Sequence, residues 1–238
     1  MLFRNRVDAG RRLAEQLQEY ARHDVVVVGL PRGGVPVAFE VASALGAPLD
    51  VIMVRKLGVP FQRELAMGAV GEGGVRVIND DLVHQARVTA QELSSIEGRE
   101  RAEMDRRATR YRGSRPPVPL AGRIVVIVDD GVATGSTARA ACAVARAQGA
   151  RRVVLAVPVA PTDEVAGLLD CADAVVCVEA IGEQFVAVGQ SYADFAPVRD
   201  AEVADLLDRA AHRGAFETLS PVAAEAEPAT PSRTSNQG

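Results

Sequence analysis

The chain has 238 residues, of which 48% are hydrophobic, and this is enough for one well-buried domain with an appendage. Its formal net charge of −4 argues against a general nucleic-acid-binding surface. No apolar run approaches the roughly 18 residues of a membrane span, and the first residues lack the apolar core of a signal peptide, so we expect a cytoplasmic protein without membrane contact.

The chain opens with an alternation of predicted helices and strands. Residues 8–22 have the apolar spacing of an amphipathic helix, with Asp8 as the expected cap. Residues 25–28 are four valines, which is typical of a buried parallel strand, and a helix is predicted over residues 35–45.

The loop between this strand and this helix contains Arg32, Gly33 and Gly34. The two glycines permit a tight turn that exposes the backbone, and an arginine in such a turn suits a pyrophosphate. Taken alone, the segment is more simply an ordinary strand-to-helix turn.

A further strand is predicted over residues 49–54, ending at Arg55 and Lys56. Two cations at the carboxyl end of a strand suit an anionic ligand, and a solvated charge pair is an equal alternative. Residues 58–74 contain five glycines, which predicts a mobile flap or hairpin.

Residues 80–112 predict a long helical insertion that is rich in arginine and acidic residues. Its apolar stripe is thin, and interspersed charges are typical of a solvated face. Contact with a partner or with a second copy in a homodimer is the second alternative.

The most informative stretch is residues 125–137. Four β-branched residues at 125–128 predict a buried strand, and Asp129 and Asp130 follow directly. A small-residue turn at 131–135 then leads into an alanine-rich helix. Because ligands of open parallel sheets bind beyond the carboxyl ends of the strands, this stretch should face a ligand.

The two halves of this stretch suit different parts of one ligand. Backbone N–H groups at a helix start, together with hydroxyl side chains, form what we call the anion cradle, which suits a phosphate. The cradle consists of Ala133, Thr134, Gly135, Ser136 and Thr137. Asp129 and Asp130, which we call the acid pair, repel phosphate but can accept hydrogen bonds from sugar hydroxyls or hold Mg²⁺ through its waters. A ribose 5-phosphate satisfies both halves.

The remaining chain continues the alternation. Strands are predicted over 152–157 and 174–178, with a helix over 162–169 between them, so the expected fold is an α/β, doubly wound, mainly parallel sheet. A last helix is expected over 200–213, and the composition of residues 214–238 predicts a disordered tail.

An aromatic segment, residues 185–195, precedes the last helix. Tyr192 or Phe195 is a candidate for stacking on an acceptor molecule, and ordinary core packing of these rings is at least as good an explanation.

Residues 125–137 resemble the phosphoribosyl pyrophosphate signature of the type I phosphoribosyltransferases at every position. The resemblance is fair at 31–36 and 54–58 and loose elsewhere. It implies a domain over residues 1–213 with a hood at about 181–198, and a non-proline cis peptide bond at Arg32–Gly33.

The resemblance also implies roles for the candidate residues. The acid pair would bind the ribose diol and Mg²⁺, and Arg32 and Lys56 would act in catalysis at the pyrophosphate. Further substrate contacts would come from residues of the loops and the hood, namely Gly33, Gly34, Arg55, Ala133, Thr134, Gly135, Ser136, Thr137, Tyr192 and Phe195.

The implied reaction moves ribose 5-phosphate from phosphoribosyl pyrophosphate to a small nitrogenous acceptor, as in nucleotide salvage, and releases pyrophosphate. Enzymes of this family that use 6-oxopurines usually carry an acid where this chain has Ala133. A 6-oxopurine acceptor is therefore disfavoured, while adenine-like, pyrimidine and other acceptors stay open.

Two other function classes remain as alternatives. The first is a non-catalytic module that senses the donor or a nucleotide and regulates a partner. The second, a phosphosugar hydrolase, is disfavoured because the sequence contains neither a Gly-x-Ser-x-Gly elbow nor a suitably placed histidine.

Overall fold

The structure is a computed structural model that describes residues 2–217, with the side chains of residues 63, 64 and 214–217 left aside. The predicted disorder of residues 218–238 therefore lies outside the described residues. The last helix runs to Glu217 rather than to Arg213.

The strands form two sheets. In chain order they are β1 (Val25–Gly29), β2 (Leu49–Val51), β3 (Val54–Val59), β4 (Gln62–Gly71), β5 (Arg76–Ile78), β6 (Ile124–Val128), β7 (Arg152–Pro161) and β8 (Ala174–Ile181). The main sheet has the order β2-β1-β6-β7-β8 and all of its pairs are parallel. The smaller sheet, β3-β4-β5, is antiparallel and forms the flap.

Seven α-helices are described alongside these strands. In chain order they are α1 (Arg6–Gln16), α2 (Gly34–Leu45), α3 (Asp80–Gln85), α4 (Ala90–Arg112), α5 (Ser136–Ala147), α6 (Thr162–Leu168) and α7 (Asp200–Glu217). Short 3₁₀ turns occupy Gln18–Arg22, Glu72–Gly74 and Val188–Ser191.

The main sheet is buried on both faces, as its continuous apolar strands predict. Successive side chains of a strand point to opposite faces. Val25 and Val27 of β1 accordingly pack in one core with α1, α2 and α7, whereas Val26 and Val28 pack in the other with α5 and α6. The expected doubly wound architecture is confirmed.

The carboxyl ends of β1 and β6 lie side by side, because Gly29 pairs with Val128 in the parallel register. The Leu30 N–H donates to the Val128 carbonyl at 2.8 Å, which extends this pairing by one residue. The loop after β1 and the acid pair after β6 therefore leave the sheet at neighbouring points.

The single strand predicted over 49–54 is wrong, because the chain changes sheets in the middle of it. Ile52 still donates to the Gly29 carbonyl at 3.2 Å, but from Val54 onward the chain pairs with β4 instead. Arg55 and Lys56 consequently lie within β3 of the flap and not at the end of a central strand.

The helical insertion is confirmed, but as two helices. The chain breaks after α3, and Thr89 starts α4 with a capping box in which its N–H donates to Glu92 at 2.9 Å. One face of α4 packs on α7 and the flap, with Leu93 and Met104 buried, so the insertion is solvated on its other face only.

The first helix begins earlier than the sequence indicated. Asn5 caps α1 by accepting a hydrogen bond from the Asp8 N–H at 3.0 Å, so the expectation that Asp8 is the cap is wrong.

Across the described part of the chain, every helix is too short or too polar to pass through a lipid bilayer.

Candidate active site

The acid pair lies at the carboxyl edge of the main sheet, where β6 ends. The Asp129 carboxylate turns back and accepts a hydrogen bond from the Asp130 N–H at 2.9 Å. The Asp130 carboxylate accepts one from the Arg6 guanidinium at 2.8 Å, and the two side chains are only 15% and 11% exposed. The two carboxylates are thus fixed in place before any ligand arrives.

The surroundings of the acid pair disfavour two negative charges. Burial raises the pKa of Asp129 well above its usual range, and the neighbouring Asp130 charge raises it further. Burial also raises the pKa of Asp130, against the hydrogen bond from Arg6, which lowers it. When the pKa of a carboxyl is higher in the folded state than in the unfolded chain, the free energy of unfolding falls as the pH rises through the folded-state pKa. A bound cation or a hydroxyl donor would relieve this cost.

The loop over residues 31–34, which we call the glycine loop, packs directly against the acid pair. A Cβ atom on Gly33 would lie 1.9 Å from Oδ2 of Asp130, and one on Gly34 would lie 2.8 Å from Cα of Asp129. Both glycines are therefore required by close packing. The non-proline cis peptide bond is at Pro31–Arg32, so its expected position at Arg32–Gly33 is wrong by one residue.

For the donor that the sequence resemblance implies, replacement of Gly33 by alanine is expected to reduce affinity and turnover at least about tenfold, because a clash with a buried carboxylate forces the loop or Asp130 to move. Gly98 is the matched control, since a Cβ atom there meets nothing within 4 Å. Gly98→Ala should leave activity unchanged and raise the melting temperature slightly. Equal activity of the two variants would contradict the contact between Gly33 and Asp130.

The anion cradle is open to solvent. Ala133, Thr134 and Thr137 are exposed, and the Thr134 and Ser136 hydroxyl oxygens lie 3.3 Å apart. Gly135 has a φ of +67°, a left-handed conformation that favours glycine, and α5 starts at the next residue. As at any helix start, the first N–H groups of α5 have no acceptor within the helix.

The cations predicted at the site are divided between two places. Arg55 and Lys56 line a cleft of about 370 Å³ together with Pro31 of the glycine loop and Thr137 of the cradle. The Arg32 guanidinium is elsewhere, 3.8 Å from the Asp200 carboxylate at the start of α7, with half of its side chain exposed. The structure thus brings Lys56 to the cradle and does not bring the Arg32 side chain there.

The hood is attached to the acid pair by Tyr192. The Tyr192 hydroxyl donates to the Asp130 carbonyl at 2.5 Å, and its side chain is only 2% exposed. Its ring stacks on Phe195 at 4.8 Å and contacts Phe3 at 5.4 Å. The Tyr192 ring faces protein neighbours, whereas Phe195 is half-buried at the surface of the hood.

Arg6 is the residue at this site that the sequence did not indicate. Besides its bond to Asp130, its guanidinium donates to the Ala196 carbonyl at 2.8 Å and lies 4.0 Å from the centre of the Phe195 ring. Arg6 and Asp130 are 124 residues apart in the chain, so no local pattern could have revealed the pair.

Two carboxylates lie at this edge, and one of them, Asp130, already pairs with Arg6. Within residues 2–217, no group of three or more histidine, cysteine, aspartate and glutamate side chains is placed to hold an ion. Asp129 and Asp130 match instead the sites in which Mg²⁺ is held by one or two carboxylates, water and substrate phosphates.

Comparison with known proteins agrees with this geometry. The family model for the phosphoribosyl transferase domain matches residues 2–195. Two curated Mycobacterium tuberculosis proteins, "Putative phosphoribosyl transferase Rv0571c" of strain H37Rv and "Putative phosphoribosyl transferase MT0597" of strain CDC 1551, are each 56% identical over 227 residues. That alignment covers 95% of this chain and 51% of each relative, so the chain spans about half the length of the curated relatives that it matches.

A solved structure also resembles the whole arrangement. The protein TT1426 from Thermus thermophilus is 47% identical and superimposes with a TM-score of 0.79 over 87% of this chain and 98% of its own. The family match includes the glycine loop, the acid pair, the cradle and the hood up to residue 195. Together with the parallel sheet and with the acid pair beside the glycine loop, the family match shows that the chain belongs to the phosphoribosyl transferase domain family.

Proposed function

We propose that the protein transfers ribose 5-phosphate from phosphoribosyl pyrophosphate to a small nitrogenous acceptor and releases pyrophosphate, in a Mg²⁺-dependent reaction of cytoplasmic nucleotide salvage. The observation that supports this most directly is the contact of three loops at one edge of the sheet. The glycine loop touches the acid pair, and the acid pair leads directly into the open cradle.

Each part of the donor has a matching part of this edge. In this proposal the 5-phosphate lies on the N–H groups and hydroxyls of the cradle, and the ribose diol donates hydrogen bonds to the acid pair. The pyrophosphate lies toward the glycine loop and Lys56, which lines the adjacent cleft. Mg²⁺, held by the acid pair and donor oxygens, would neutralise charge on the leaving pyrophosphate.

The proposed reaction is a substitution at the anomeric carbon. The bond from this carbon to the pyrophosphate oxygen breaks, and a bond to the acceptor nitrogen forms. Positive charge develops on the ribose ring as the bond breaks, and the acid pair, held by Arg6 and by the Asp130 N–H, stabilises that charge. The flap would exclude water from the reacting carbon.

The acceptor is proposed to enter between the cradle and the hood. Ala133 is exposed there, and its methyl group offers no hydrogen bond to a purine ring, so we propose an acceptor other than a 6-oxopurine. Phe195 stays the proposed aromatic contact of the acceptor, which must then share this ring with Arg6 and Tyr192. For Tyr192 the same contact would require its packed neighbours to move, since the ring is buried.

The test has two stages. Calorimetry with phosphoribosyl pyrophosphate, with and without Mg²⁺, measures donor binding first. A panel of nucleobases and small amines is then screened for donor-dependent release of pyrophosphate. Release with one acceptor supports the proposal, and a protein that does not bind the donor contradicts it.

One observation favours a second candidate, a non-catalytic sensor of the donor. Asp130 is already engaged by Arg6, so a ligand must share or displace that ion pair. A sensor would bind the donor tightly and release no pyrophosphate with any acceptor of the panel, and this outcome separates the two candidates.

A further inference from the structure

The insertion helix α4 forms one wall of the cleft next to the anion cradle. Glu100 and Arg107 of α4 line this cleft of about 370 Å³ together with Arg55, Lys56 and Thr137. The two α4 residues are seven positions apart, which places them on the same helix face two turns from each other. The insertion therefore contributes to the cleft, although the sequence alone did not place it at the site.

The described lining of the cleft carries more positive than negative side chains. Within that part of the chain, Arg55, Lys56 and Arg107 are three cations and Glu100 is one carboxylate. That carboxylate is already engaged, because Arg55 donates to it at 2.8 Å. The cleft therefore suits an anion that carries more than one charge.

Arg107 is held where it can reach such an anion. Its Nε donates to Glu103 at 2.6 Å, and its side chain is 38% exposed. Glu103 does not line the cleft. The ion pair orients the planar guanidinium, whose fork of donors matches phosphate oxygens, and leaves its remaining N–H groups for a ligand.

We propose that Arg107 binds the pyrophosphate group of the donor, so that the helical insertion completes the pyrophosphate site opposite the glycine loop. This inference rests on the proposed function, because it assigns a further binding residue to the same donor. It also gives the insertion a role that its charged, solvated appearance does not suggest.

Arg106 provides a matched control. It pairs with the same Glu103, at 2.7 Å, but its side chain is 57% exposed and it does not line the cleft. Arg107→Gln and Arg106→Gln remove the same charge from neighbouring positions of one helix. A difference between them therefore reports contact with the ligand and not net charge or loss of the Glu103 pair.

The experiment measures binding of inorganic pyrophosphate, phosphoribosyl pyrophosphate and ribose 5-phosphate to each variant by calorimetry in the presence of Mg²⁺, after circular dichroism has shown native folding. We expect Arg107→Gln to weaken the first two ligands about tenfold or more and to leave ribose 5-phosphate within twofold. The affinity of Arg107→Lys for these two ligands should lie between those of the wild-type protein and Arg107→Gln. Lysine keeps the positive charge but lacks the planar set of donors of the guanidinium. Arg106→Gln should change none of the three.

The outcomes that overturn the inference are distinct from failure of the proposed function. Unchanged pyrophosphate affinity in Arg107→Gln, or an equal loss in Arg106→Gln, overturns the role of Arg107 while the function stands. An equal loss of affinity for ribose 5-phosphate in Arg107→Gln also overturns the role of Arg107, since the effect would then not be confined to ligands that carry a pyrophosphate. Wild-type protein that binds neither pyrophosphate nor the donor overturns both.

Discussion

Replacement of Asp130 by asparagine is expected to lower the rate of pyrophosphate release by about 10²–10³-fold, the usual cost of removing one fixed electrostatic group from a reacting centre. The substitution keeps the side-chain shape, so the amide can still accept a hydrogen bond from Arg6. What it removes is the negative charge that the proposed mechanism places beside the ribose ring and Mg²⁺.

The fold should survive this change. Burial raises the pKa of Asp130 and so disfavours its charged form, which means that a neutral amide relieves a cost of folding at neutral pH. Asp105→Asn, at an exposed position of α4, is the control for an equal change in charge. Steady-state rates of pyrophosphate release and thermal unfolding curves of both variants test whether Asp130→Asn loses activity while it stays folded. A wild-type rate in folded Asp130→Asn protein would remove Asp130 from the mechanism.

Replacement of Arg112 by methionine is expected to destabilise the protein by about 3–5 kcal/mol, because it leaves a buried carboxylate without its partner. Arg112 ends α4 and is 8% exposed. Its guanidinium donates to Asp50 at 2.7 Å, to the Val51 carbonyl at 2.8 Å and to both carboxylate oxygens of Glu72. Burial lowers the pKa of Arg112, but its bonds to Glu72 and Asp50 outweigh this and keep it charged.

This network joins three parts of the fold. Asp50 belongs to β2 and is 5% exposed, and Glu72 lies in the turn between β4 and β5 of the flap. The second Asp50 oxygen accepts a hydrogen bond from the Val118 N–H at 2.8 Å. Urea unfolding of Arg112→Met should therefore show a large fall in the free energy of unfolding. Arg112→Lys, which keeps the charge, should lower the free energy of unfolding by less than Arg112→Met does.

Arg106→Met is the comparison for an exposed ion pair and should leave the free energy of unfolding nearly unchanged. A similar small loss for Arg112→Met would mean that the buried network contributes little beyond the packing of the arginine stem. If Arg112→Met does not fold, the Arg112→Lys variant still measures the network.

The sequence predicted those parts of the fold whose causes are local. Runs of β-branched residues gave β1 and β6, because strands buried on both faces need apolar side chains at every position. The small-residue turn after Asp130 gave the start of α5, because Gly135 adopts a left-handed φ there. The position of the acid pair at the ligand edge followed from the same local order.

Other features depend on contacts between distant residues. The apolar run through residues 49–54 contains no signal for the point at which the chain leaves the main sheet, so Arg55 and Lys56 were expected on the wrong element. Arg107 resembles its exposed neighbours in sequence, and only packing of α4 against the flap and α7 decides which arginines face the cleft. Arg6 reaches Asp130 through the tertiary fold alone.

The position of the amino-terminal segment has a practical consequence for recombinant work. Phe3 pairs with Tyr192 in a β-bridge, and Arg6 completes the surroundings of Asp130. Removing residues 1–6 would delete Phe3 and Arg6 themselves, expose the Tyr192 ring that Phe3 covers and leave the Asp130 carboxylate without its ion-pair partner. Recombinant protein for assays should therefore keep these residues.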